Sequence, residues 1–166
     1  MTTALLPPDT FHLQAAQGWL ELGDPSEARH ELEAIAPVMR THPAVLNVLW
    51  GIHAAEKNWE SALEIATNLI EVIPEEPLGW VHRSYALHEL RRTKEARDNL
   101  LRVVDKFRSS ATIRYNLACY ECQLGSLAQA KTWLELAFGM GNRTQMKLAA
   151  LEDLDLKPIW QEIRSS

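Results

Sequence analysis

Ala28, Ala62, Ala96 and Ala130 stand at one spacing of 34 residues, with no insertion or deletion between them. A small residue kept at such a period marks an internal repeat, and a repeat of this length is one supersecondary unit that cannot bury its apolar face alone. Neighbouring units must stack, and stacking leaves an extended surface suited to binding.

The same period carries helix punctuation. Asp24, Asn58, Arg92 and Ser126 share one register, and three of them are good N-caps. Asp24 is followed by Pro25 and Glu27, and Ser126 by Gln129, a pattern that predicts reciprocal capping of orphan amides. Gly23 and Gly125 are placed to close the preceding helices in a left-handed conformation. The partner helices open near Pro8, Pro43, Pro77 and Ser110, and Pro74 and Pro77 bracket a turn.

Apolar residues recur at three and four, as in Leu63, Ala66, Leu69, Ile70 and Ile73, and no segment alternates like a strand. These signals predict helices over about 9–22, 25–39, 43–56, 59–73, 77–90, 93–107, 111–124 and 127–140. Shorter helices from Lys147 to Leu151 and from Pro158 to Ile163 should cover the last unit. The expected fold is all-α, a solenoid of four helix-turn-helix hairpins over about 9–42, 43–76, 77–110 and 111–142, with a C-terminal cap over 143–166, in one domain spanning 1–166.

Composition bounds the function. The chain has 166 residues, 46% of them hydrophobic, enough for a continuous core. Its opening lacks a basic leader, and Pro7 and Pro8 break the first apolar run. No run approaches the roughly 18 apolar residues of a membrane span. The two cysteines do not make a disulfide framework. The expectation is a cytoplasmic protein. A net charge of −5 argues against nucleic acid as a partner, because neutralising phosphates needs positive charge. The charge is uneven, with eleven acids against Arg29, Arg40 and Lys57 between 20 and 76, and nine bases against four acids between 83 and 114.

With these residues the chain resembles the tetratricopeptide repeat family, whose motif sets a large residue, Leu-Gly, Tyr, Ala, Phe and Pro along a helix-turn-helix of this length. Ala28, Ala62, Ala96 and Ala130 match its close-contact alanine, Ala16, Ser84 and Ala118 its other small position, and Trp80 its large residue. Trp19 takes the tyrosine position, Leu32, Leu100 and Leu134 the phenylalanine position, and Pro74 the closing proline. Trp50, Arg83 and Glu121 depart from the motif. The resemblance implies a right-handed α-solenoid. The tail Leu151 to Trp160 resembles a closing segment of bacterial members and reads as a lid on the last hairpin.

In this family the first helix of each repeat lines the binding groove. The resemblance therefore implies a groove of Leu13, Gln17, Leu20 and Glu21, then Asn47, Gly51 and Ala54, then Val81, Tyr85, His88 and Glu89, then Tyr115, Cys119, Cys122 and Gln123. None is lysine or arginine, so the carboxylate clamp of one subclass lacks its charged donors, and a ligand presenting aromatic or aliphatic side chains fits better. A second candidate surface is the basic edge of Arg91, Arg92, Lys94 and Arg97, with Arg102, Lys106, Arg108 and Arg114 nearby. It reads either as a solvated face or as a contact for an acidic protein surface or an anionic membrane.

Catalytic chemistry finds little support. Cys119-Tyr-Glu-Cys122 matches C-x-x-C, but both thiols fall inside a predicted helix, away from the N-terminal dipole that activates such pairs. No second ligand pair completes a zinc site, and His30-Glu31 and His88-Glu89 lack a second histidine four residues on. The sequence calls for no enzyme activity, metal or cofactor. The expected function is a protein-binding adaptor. General layout and terminal cap resemble the bacterial kinesin light chains, which implies binding to bacterial tubulin filaments. The alternative is a chaperone holding a client segment in the groove.

Overall fold

The computed structural model describes residues 4–165. Met1–Thr3, the start of the segment read as lacking a basic leader, and Ser166, the end of the expected cap, lie outside the described residues. The described chain is all-α, without a strand. Its helices are α1 (Asp9–Glu21), α2 (Pro25–Ala34), α3 (Pro43–Ala55), α4 (Trp59–Val72), α5 (Pro77–Glu89), α6 (Thr93–Leu101), α7 (Ala111–Gln123), α8 (Leu127–Phe138), α9 (Arg143–Glu152) and α10 (Trp160–Ser165), with short 3-10 turns over Pro37–Met39 and Leu154–Ile159.

The period of the sequence reappears in the main chain. Gly23, Lys57, Arg91 and Gly125, each 34 residues from the next, have φ of +81°, +56°, +64° and +83°. The next amide donates back five residues at every joint: Asp24 to Trp19, Asn58 to His53, Arg92 to Leu87 and Ser126 to Glu121, over 2.8–2.9 Å. Inside these, the amides of residues 23, 57, 91 and 125 donate to the carbonyls of Leu20, Ala54, His88 and Cys122. The paired bonds satisfy the last carbonyls of one helix while turning the chain into the next. Glycine fills two joints as expected. Lysine and arginine fill the others, against a left-handed penalty of roughly 1–2 kcal/mol.

These joints correct the capping expectation. The Asp24 carboxylate accepts from the Glu27 amide at 3.1 Å and the Asn58 side chain from the Ser61 amide at 3.4 Å, but Ser126 makes no side-chain cap. The reciprocal half of a capping box has no amide to receive, since the Asp24 and Ser126 amides are already bonded to Trp19 and Glu121.

Three helix boundaries also differ by four residues or more. Helix α2 ends at Ala34 rather than 39: Ile35 is already extended at a ψ of 138°, and Ala36, which precedes Pro37 and so disfavours helical backbone, follows at 133°. The Arg40 guanidinium then donates to the carbonyls of Glu33 and Ile35 left open at that end. Helix α6 stops at Leu101 rather than 107, just before Val103 and Val104, β-branched neighbours that are weak helix formers yet still buried. Helix α9 starts at Arg143 rather than Lys147, with Asn142 accepting from the Gln145 amide at 3.0 Å.

The chain divides between Ala86 and Leu87 into two compact units. In the N-terminal unit, α1, α2 and α3 pack around Leu13, Ala16, Ala28, Leu32, Ile35, Val45, Val48 and Ile52, and α4 packs on α3. Gly79 lets α5 approach α4, since a Cβ there would sit 2.9 Å from Ile70 Cγ1 and 3.0 Å from its nitrogen. In the C-terminal unit, α7 packs on α8 and α6, and the tail closes with Leu156 and Ile159 fully buried. All four periodic alanines are 0% exposed, the close contact their spacing announced.

Candidate functional site

The first-helix face of the N-terminal unit is aromatic. Trp50 stacks on His82 with ring centroids 3.7 Å apart and planes within 5°. His82 Nε2 donates to Asn47 Oδ1 at 2.8 Å, and burial lowers the pKa of His82 to about 4, so the ring is neutral. Trp50, which departs from the motif, is thus accommodated by a flat ring from the following repeat. Tyr85 meets Trp50 edge-on at 6.1 Å and Trp59 at 5.6 Å, yet it is 42% exposed. Gln17 and Glu21 are exposed, and Leu20, Asn47, Gly51, Ala54 and Val81 half-buried. Leu13, expected on this face, lies in the core, because it shares a helical stripe with Ala16 that packs against α2.

The corresponding face of the C-terminal unit is covered by the chain itself. The Asp153 carboxylate accepts from the Tyr115 hydroxyl at 3.0 Å and the Cys119 thiol at 3.5 Å through Oδ2, and from the Asp155 amide through Oδ1. His88 Nε2 donates to Asp155 Oδ2 at 3.0 Å, and Gln123 Nε2 donates to the Asp155 carbonyl at 2.8 Å. Behind it, His88 Nδ1 is 2.9 Å from the Thr93 hydroxyl. Four residues assigned to the groove therefore hold the segment that follows α9. Glu89 is exposed.

This burial sets the environment of the two cysteines. Cys119 and Cys122 are free and buried, and both thiols are pushed above their ordinary range, first by desolvation and then by the Asp153 and Asp155 carboxylates. Tyr115 is raised too, chiefly by burial. An activated thiol needs the opposite field. Among the described residues no group of three or more His, Cys, Asp or Glu could hold a metal ion. No described helix is long and apolar enough to cross a membrane.

Two of the four residues of the basic edge are paired with acids. Arg92 makes a bidentate pair with Glu95 at 2.8 and 2.7 Å, and Arg97 pairs with Asp98 at 2.9 Å and lies 3.8 Å from buried Glu121. Arg114, read as part of the cluster, is buried, its Nη1 donating to the carbonyls of Phe107 and Ser110. Arg91 and Lys94 are exposed.

Asp153 and Asp155 were not singled out by the sequence. Their only signal was their place in the tail read as a lid, whose target face no motif specifies.

No family model matches the chain, and no curated protein matches it. Solved structures do. One described as MamA RS-1 ArsTM double mutant is similar at a TM-score of 0.70 and 17% identity, covering 98% of this chain and 93% of that one. One described as MamA MSR-1 C2 is similar at a TM-score of 0.65 and 18% identity, covering 82% and 78%. MamA is a tetratricopeptide-like protein, and the chain has a tetratricopeptide-type α-solenoid fold.

Proposed function

We propose that this chain is a non-enzymatic adaptor that binds other proteins in the cytoplasm. The observation that carries the reading is Tyr85, a large aromatic side chain left 42% exposed while Trp50 and Trp59 fix its ring. An anchor already ordered before binding loses little conformational entropy on docking, which is why rigid aromatics concentrate binding energy. The fitting ligand is a client segment that lays aliphatic or aromatic side chains against Tyr85, as a chaperone would hold one.

A filament-binding role is the other reading, favoured by Arg91 and Lys94 at the edge. The resemblance to bacterial kinesin light chains names bacterial tubulin filaments as the acidic surface to try. One pair of variants separates the two. In co-sedimentation with bacterial tubulin at low salt, Arg91→Glu with Lys94→Glu should abolish binding if the edge is used. In pull-downs from a lysate of the source organism, Tyr85→Ala should release a client segment held by the aromatic face. A chain that retains every partner in both variants would contradict both.

A further inference from the structure

We propose that the α7 face of the C-terminal unit is a receptor for an Asp-x-Asp segment of a partner protein, and that Asp153 to Asp155 is the intramolecular copy of that ligand. The recognition is by donor geometry. Four side chains on two helices, His88 from α5 and Tyr115, Cys119 and Gln123 from α7, donate to two carboxylates two residues apart and to one carbonyl between their helices. The Asp153 side chain also closes its own turn on the Asp155 amide, so the ligand is read as a turn rather than a strand.

The tail is held in two chemically different ways. Beyond Asp155, Leu156, Ile159 and Ile163 are buried, and Trp160 Nε1 donates to the carbonyls of Ala150 and Asp153. Apolar burial of that kind would suffice for a cap. The acidic half is different, because half-burying carboxylates costs solvation that hydrogen bonds only offset, and the described partners of the two carboxylates are His88, Tyr115, Cys119 and a backbone amide rather than a lysine or arginine. Leu154 between them is 73% exposed and adds no anchor. The side-chain bonds of the acidic half are thus the exchangeable ones, while the apolar half and the Trp160 bond to the Asp153 carbonyl keep the tail tethered. A partner must outcompete a tethered ligand whose effective concentration is of millimolar order, so its own affinity is masked in the resting chain.

The proposal is independent of the reading of Tyr85. It is tested on the full chain with a labelled peptide of the sequence Leu-Glu-Asp-Leu-Asp-Leu-Lys-Pro. Asp153→Ala with Asp155→Ala should bind this peptide at least about tenfold more tightly than the wild type, as expected when a tethered competitor is removed. Adding His88→Ala and Tyr115→Phe should reverse the gain, and a peptide with both aspartates changed to alanine should not bind. In a Cys122→Ala background, Cys119 should react faster with a thiol reagent once the two aspartates are replaced, and the peptide should protect it again. If the alanine pair costs the fold, Asp153→Asn with Asp155→Asn carries the same test. Equal affinity for wild type and variant, equal affinity for the aspartate-free peptide, or tail exchange between two copies without peptide binding would each overturn the proposal.

Discussion

The two units present the same face of the same repeat to opposite effect. In the N-terminal unit the first helices display a stacked Trp50 and His82 and an exposed Tyr85, held by rings. In the C-terminal unit Cys119, one period after Tyr85, bonds with Tyr115 and Gln123 of the same helix to a segment arriving from later in the chain. The repeat supplies a platform in both cases. Whether that platform is available is decided by the residues that follow the repeats, which no repeat motif describes.

The largest effect that would sharpen this contrast is on the covered face. Leu156 is 0% exposed, and Leu156→Ala should cost about 2–5 kcal/mol of the C-terminal unit's stability by leaving a cavity. Denaturant unfolding read by hydrogen exchange should show the loss in α7 and α8, with α1 to α4 little changed; uniform loss would mean the units do not unfold separately.

A pH titration addresses the open face. With His82 lowered to about 4 in the folded chain against 6.5 in the unfolded one, the unfolded state takes up a proton first as pH falls. The contribution is therefore complete above pH 6.5, is lost between 6.5 and about 4, and changes no further below, for a total on the order of 3 kcal/mol. His82→Phe, which keeps a flat ring on Trp50 without titrating, should flatten that window in thermal melts. A slope that persists in the variant would assign it elsewhere.

The joints should respond more weakly and alike in both units. Lys57→Gly and Arg91→Gly relieve left-handed backbone at +56° and +64° and should each raise stability by up to about 1 kcal/mol, whereas Gly23→Ala should lower it by a similar amount. The smallest contrast is at the caps. Asp24→Ala should cost about 1 kcal/mol and Ser126→Ala less than about 0.5, because only the first side chain bonds an amide. Equal losses would show that Ser126 caps in solution.

Much of the fold was legible because the repeat writes its contacts in side-chain size. Four alanines at one spacing locate the hairpin contacts, and all four are fully buried. The joints were half legible, since glycine advertises a left-handed residue and Lys57 and Arg91 do not. Of the aromatic face of the N-terminal unit, register named Tyr85 but neither Trp50 nor His82, and Leu13 turned inward with its stripe. The covered face did not follow. Its partners are 67, 38, 34 and 32 residues from Asp155 or Asp153, near one or two repeat periods, but the repeat motif specifies no side chain in the tail that would hold a groove.

The joints are closed by main-chain atoms, each by an amide reaching back five residues over 2.8–2.9 Å. Side-chain substitution leaves those bonds in place, as lysine and arginine already demonstrate at two of the four. Removing or adding a single residue within one would break both of its bonds at once. Excision or duplication of a whole 34-residue block between corresponding points would instead regenerate the same closure at the splice. A chain of this design can drift freely in letters and grow or shorten by whole words, but it cannot tolerate a slipped character at the hinge.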